Sequence, residues 1–140
     1  MMTGWLLSAF ILTASADDLT LTLTITATGF RDTDGQAVFW LYDPENWLEP
    51  SAARRTATAL ITGAAVTATF TGVPPSRYGV AVLHDTNKNG TLDMRWFPIP
   101  GPAEGSGVSN DAPALIGPPR FADAALILGT DAEIQVTMRY

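Results

Sequence analysis

From residue 19 to residue 28 the chain alternates without a break. Leu19, Leu21, Leu23, Ile25 and Ala27 interleave with Thr20, Thr22, Thr24, Thr26 and Thr28. Side chains on a strand point to opposite faces with a period of two, so this pattern predicts a strand with aliphatics inward and hydroxyls outward. Residues 29–35 (GFRDTDG) read as a turn. A second strand follows at 36–42, with Phe39 and Leu41 on one face and Val38, Trp40 and Tyr42 on the other. Apolar residues on both faces predict either a central strand or one carrying an exposed aromatic row. Pro44 and Pro50 bracket a short loop with room for a turn of helix around Asn46, Trp47 and Leu48.

Residues 56–62 and 64–71 predict a hairpin turning at Thr62-Gly63, with Val66, Ala68 and Phe70 sharing a face. Residues 78–84 (YGVAVLH) form another strand, with Tyr78, Val80, Val82 and His84 on one side. Residues 124–128 and 133–140 close the pattern around Gly129-Thr130-Asp131. About seven short strands with closely spaced turns predict an all-β fold, an antiparallel β-sandwich. Its core should hold Leu21, Leu23, Ile25, Phe39, Leu41, Phe70, Val80, Val82 and Ile134.

Residues 94–121 break the rhythm. They contain six prolines and four glycines and show no periodicity. Stretches of that length without secondary structure are uncommon in a compact domain, and are usually functional or disordered. Trp96, Phe97, Ile99, Leu115 and Ile116 can anchor this segment to the sandwich, so it reads as an ordered long loop.

The first 16 residues read as a signal peptide. An apolar run at 5–13 (WLLSAFILT) precedes Ala14-Ser15-Ala16, a small-x-small cleavage pattern, and then Asp17-Asp18. The run is shorter than the ~20 residues needed to span a bilayer. The expectation is export to the periplasm or beyond, with a mature chain from Asp17 forming one domain over 17–140 and containing no membrane span.

Composition narrows the choice of function. The net charge is −6, and seven of the eight basic residues are Arg, scattered singly except for Arg54-Arg55. Nucleic-acid binding needs a basic patch to displace counterions, and none is present. The chain has no Cys and one His, which excludes disulfides, thiolate catalysis and multi-His metal sites within one chain.

One segment carries chemistry in its spacing. Residues 85–93 read D-x-N-x-N-G-x-x-D: Asp85, Asn87 and Asn89 at positions one, three and five, Gly90 at six, the Thr91 carbonyl at seven and Asp93 at nine. Calcium takes six to eight oxygens, and this order of donors matches the first nine positions of an EF-hand loop. The twelfth position is Trp96, where an EF-hand has a bidentate Glu, and the preceding element is a strand. The loop is therefore a candidate for weak Ca²⁺ binding outside the EF-hand frame, with a further ligand from Glu104, Asp111 or Asp123. Asn89-Gly90 is equally a hairpin-turn signal that needs no ion.

The run YGVAVLHDTNKNGTLD at 78–93, Ile99-Pro100, GSGVSN at 105–110 and GPPRFADAA at 117–125 resemble the domain of unknown function 2141 family. Typical members look like YAVAVFHDENGNGKLD, followed by Ile-Pro, G-x-G-x-S-N and GPPxFxDA. Residues 94–98 replace a Gly-containing turn of that pattern, and residues 101–104 replace a Lys-Glu. The resemblance implies a small exported bacterial β-sandwich of the transthyretin-like or immunoglobulin-like kind. It implies no activity.

Two other sites come from the residues themselves. His84 could serve as a base with Ser109 as nucleophile, giving a small hydrolase; the loop carboxylates offer a carbohydrate-active alternative. Adjacent strand residues diverge, so His84 and Asp85 do not form a base and its orienter. Trp47, Trp96 and Phe97, placed in loops, are candidates for a stacking surface for a saccharide or peptide. The expected function is a non-enzymatic binding or interaction module of the cell envelope, with an unidentified protein or saccharide partner.

Overall fold

The computed structural model describes residues 19–88, 94–95, 101–102, 104–114 and 117–140, with the backbone alone described at 94–95 and 101–102. The threonine alternation forms β1 (Leu21–Thr28), in which Leu21, Leu23, Ile25 and Ala27 are buried and the intervening threonines are half-buried. The next strands are β2 (Gln36–Tyr42), β3 (Arg55–Leu60), β4 (Ala65–Val73) and β5 (Ser76–Asp85). Beyond these come β6 (Met94–Arg95), β7 (Gly101–Pro102), β8 (Ser106–Val108), the short helix α1 (Phe121–Ala124), β9 (Leu126–Leu128) and β10 (Ala132–Thr137).

Two sheets face each other. One has the order β10-β1-β4; the other runs β3-β2-β5-β8, with β9 also pairing to β5. Among the described residues, strands β6 and β7 pair only with each other. The architecture is the expected all-β sandwich, with corrections. The segment at 94–121 is not structureless, since it contributes β8, a 3-10 turn at Ser109–Asp111 and the first residue of α1. Ala124, expected to start a strand, ends α1.

The predicted hairpin at Thr62-Gly63 is absent. β3 pairs with β2 and β4 pairs with β1, so the connection crosses from one sheet to the other. The signals for a tight turn and for an inter-sheet crossover are alike locally, because both need only a break in the strand pattern. The pairing is also not wholly antiparallel. β10 runs parallel to β1, with Ile25 opposite Ile134 and Thr28 opposite Thr137.

The core between the sheets holds Leu23, Ile25, Phe39, Leu41, Phe70, Tyr78, Val80 and Val82, each at most 2% exposed. Eight of the nine residues expected there are buried; Ile134 is half-buried because β10 lies at the sheet edge. β2 proves to be central. Its second face, Val38, Trp40 and Tyr42, forms a separate apolar cluster with Ala81, Leu83, Val108, Ala112 and Ala124. Burying both faces of β2 and β5 explains why neither reads as an amphipathic strand.

Candidate functional site

Strand β5 sorts its residues by parity. Tyr78, Val80, Val82 and His84 face the inter-sheet core, while Gly79, Ala81, Leu83 and Asp85 face the outer cluster. Asp85 is fully buried and lies opposite Gln36, whose Nε2 donates to Asp85 Oδ2 at 3.1 Å. The chain then turns, with the Lys88 amide donating to the Asp85 carbonyl at 3.3 Å and Lys88 itself at φ 58°. Thr86, next to Asp85, donates from its amide at 2.8 Å and from Oγ1 at 3.0 Å to Glu104 Oε2. Glu104 is only 8% exposed. Two buried, hydrogen-bonded carboxylates thus flank the start of the loop. Burying a carboxylate is costly unless it is hydrogen-bonded or paired.

Of the three carboxylates considered as an extra ligand, Glu104 is the one the fold brings to this loop. Asp111 is bound at β10, accepting from the Thr137 amide at 2.8 Å and from the Thr137 hydroxyl at 3.2 Å. Asp123 pairs with Arg120 at 3.2 Å on α1. Asn87 is exposed at the turn. Asn89, Thr91 and Asp93 lie outside the described residues, as do Trp96 and Phe97 and the leader at 1–16. Among the described residues, no three His, Cys, Asp or Glu side chains gather to hold a metal.

His84 is fully buried between the two sheets. Its Nε2 lies 2.7 Å from the carbonyl oxygen of Asp34 and 3.4 Å from Asp32 Oδ1. A carbonyl only accepts, so Nε2 carries the proton. In the neutral ring Nδ1 then accepts from the Tyr140 hydroxyl at 2.6 Å. That hydroxyl also accepts from the Arg31 amide at 3.0 Å, and the Arg31 guanidinium stacks over the Tyr140 ring. Burial pushes the Tyr140 hydroxyl above its ordinary pKa. His84 therefore ties the β1–β2 turn to the residues after β10.

Ser109 is equally committed. Its hydroxyl is buried, donates to the Ala124 carbonyl at 2.6 Å and accepts from the Val80 amide at 3.0 Å. The structure does not bring His84 and Ser109 together; each satisfies its hydrogen bonds with other partners. The neighbouring Asn110, at φ 60°, donates from Nδ2 to the carbonyls of Asp123 (3.3 Å) and Ala125 (3.0 Å). The Ser-Asn pair of the GSGVSN segment thus fastens α1 of the GPPRFADAA segment to β5.

Trp47 is not an open stacking ring. It is half-buried, its Nε1 donates to the Pro119 carbonyl at 2.8 Å, and its ring meets Tyr42 and Phe121 edge-on. A Cβ at Gly79 would come within 2.5 Å of the indole, so the glycine in β5 makes room for it. The indole serves as a cover for the outer cluster.

Sequence reasoning missed Gln36, Tyr140 and Asn110. The Asn110 signal was present in the GSGVSN pattern, whereas Gln36 and Tyr140 reach the site only through strand register and the return of β10, which no local pattern encodes. No curated protein and no solved structure matches the chain. A family described as uncharacterized proteins conserved in bacteria matches over residues 25–136, so the chain belongs to the domain of unknown function 2141 family.

Proposed function

We propose that the chain is an exported, non-enzymatic binding or interaction module of the bacterial cell envelope, and that its 85–93 loop binds Ca²⁺ weakly as a structural brace. The observation that supports the ion is the burial of Asp85 and Glu104 on either side of Thr86. The spacing Asp85, Asn87, Asn89, Thr91 and Asp93 supplies hard oxygen donors in the order calcium accepts. With two carboxylates in the loop and no Glu at its twelfth position, affinity falls in the 10⁻⁴–10⁻³ M range of extracellular modules, an order-of-magnitude figure. Export to a calcium-bearing compartment, from the leader at 1–16, makes that affinity useful.

The non-enzymatic part of the reading is supported by the hydrogen bonds of His84 and Ser109, which hold backbone rather than face a common reacting centre. The partner is an envelope protein or saccharide. Calorimetric titration of calcium into the chain beginning at Asp17 tests the ion. Heat fitting one site at sub-millimolar to millimolar affinity supports the proposal, and no heat at millimolar calcium overturns it.

A further inference from the structure

Strand β3 ends its sheet. It pairs with β2 from Leu60 opposite Gln36 to Arg55 opposite Leu41 with no shift in register, and among the described residues no strand pairs with its other edge. A free edge presents a row of unpaired amides and carbonyls, which is a template for another strand. Folded chains guard such edges with charged side chains, Pro, bulges or a covering segment. β8, β10 and β4 carry guards of this kind. Ser106 on β8 exchanges both backbone hydrogen bonds with Arg139, at 3.0 and 2.9 Å. Asp111 takes the Thr137 amide of β10 at 2.8 Å, and that strand also carries the exposed Glu133. The Thr71 carbonyl of β4 accepts from the Arg55 guanidinium at 2.8 Å.

Beyond Arg55, β3 has no such guard. Residues 56–60 read Thr-Ala-Thr-Ala-Leu, without a charge, a Pro or a Gly. Thr56, Thr58 and Leu60 are exposed, Leu60 at 69%, while Ala57 and Ala59 pack against the core. Charge narrows what this edge accepts. The chain has a net charge of −6, which keeps copies apart in general. Residues 56–76, however, contain no charged side chain, and β3 lies within them. Arg55, at the start of the strand, is turned to β4. The edge is therefore a neutral approach for a second copy of the chain.

We propose that two copies pair through β3, antiparallel about a two-fold axis at Thr58, so that their sheets join into one. It depends on neither the ion nor an envelope partner. Directly opposed residues of an antiparallel pair share a face. With Thr58 on the axis, Thr56 lies opposite Leu60 of the second copy, and Ala57 lies opposite Ala59. This register keeps the exposed residues of both copies on one side and the half-buried alanines on the other. It uses all of 56–60 and leaves Arg55 outside the paired span. The edge is thus its own complement, as a two-fold contact requires. A ladder of this length is a small contact, in the class under about 1,200 Å² that associates reversibly.

The test is sedimentation equilibrium of the chain beginning at Asp17, from micromolar to near-millimolar protein, with chelator present. Wild type should rise toward twice the monomer mass. Thr58→Lys places two like charges directly opposite each other and should weaken the dimer by about 5-fold or more. Thr58→Glu should do the same, and an equal mixture of the two variants should restore pairing. The register is read separately by cysteine, since the chain has none of its own. Thr58→Cys should crosslink under oxidation, because opposed Cα atoms lie ~4.5–5.5 Å apart, within disulfide reach. Thr56→Cys should not, because its counterpart is displaced by roughly 13 Å along the strand. The cysteine pair decides the register even where Thr58→Lys does not fold. A chain that stays monomeric throughout overturns the proposal and leaves the edge to a foreign strand. A dimer that survives Thr58→Lys and crosslinks at neither cysteine overturns it as well, by placing the contact elsewhere.

Discussion

The hydroxyl of Ser109 donates to the carbonyl oxygen of Ala124 over 2.6 Å, deep beneath the outer cluster. With the Val80 amide, 29 residues earlier, as its second partner, this serine joins β5 to the α1 carbonyl 15 residues later. Ser109→Ala leaves a buried donor and a buried acceptor without their partner, which costs about 1–3 kcal/mol. Urea melts should show that loss with an unchanged dependence on denaturant.

The parity of β1 makes a paired prediction. Leu23 is fully buried and Thr24 is half-buried on the opposite face. Leu23→Ala should cost about 2–4 kcal/mol through lost transfer energy and a residual cavity. Thr24→Ala should cost under about 0.5 kcal/mol, as expected for a surface position. Denaturant melts of the two variants compare them directly; equal costs would contradict the assignment of faces.

Those two residues also show what was legible in the chain. The period-two pattern placed β1, β2, β4 and β5 to within a few residues, because burial on a pleated strand imprints itself on alternate positions. Pairing between distant elements leaves no such imprint. Nothing near Thr28 announces that its parallel neighbour is Thr137, 109 residues later. β8 has three residues, Ser106-Gly107-Val108, too few to show a period and rich in a poor strand former. At the candidate site the loop spacing could be read, while the further carboxylate was left open among three. Which of Glu104, Asp111 and Asp123 approaches the loop depends on β8, and was decided only by the fold.

Tyrosine burial sets the response to base. Burial pushes the Tyr42 hydroxyl well above its ordinary pKa, and that of Tyr78 moves the same way for the same first cause. A group whose folded pKa is raised keeps its proton in the folded state while the unfolded state loses it. Its contribution is fully present below the unfolded value of ~10 and declines as pH rises above it. Stability should therefore fall progressively above about pH 10, and Tyr42→Phe should flatten that fall. Urea melts between neutral and strongly basic pH measure the slope.

Trp47 offers a test of its covering role. Trp47→Ala removes the indole from Tyr42 and Phe121 and frees the Pro119 carbonyl. For a half-buried residue the expected cost is about 2–3 kcal/mol, below the 3–5 of a fully buried Trp. An unchanged melting midpoint in chemical denaturation would instead make the indole an unneeded surface ring.

The central claim, an ion at the 85–93 loop, is tested most directly by thermal melts with calcium and with chelator, on wild type and on the double variant Asp85→Asn with Asp93→Asn. Calcium at ~10 times its dissociation constant should stabilise wild type by about 1.4 kcal/mol. For a domain of this size that is a rise in Tm of about 2–8 °C. The account predicts this rise in wild type and none in the double variant. No rise in wild type, or a rise that survives both substitutions, would contradict it and return the loop to a plain turn.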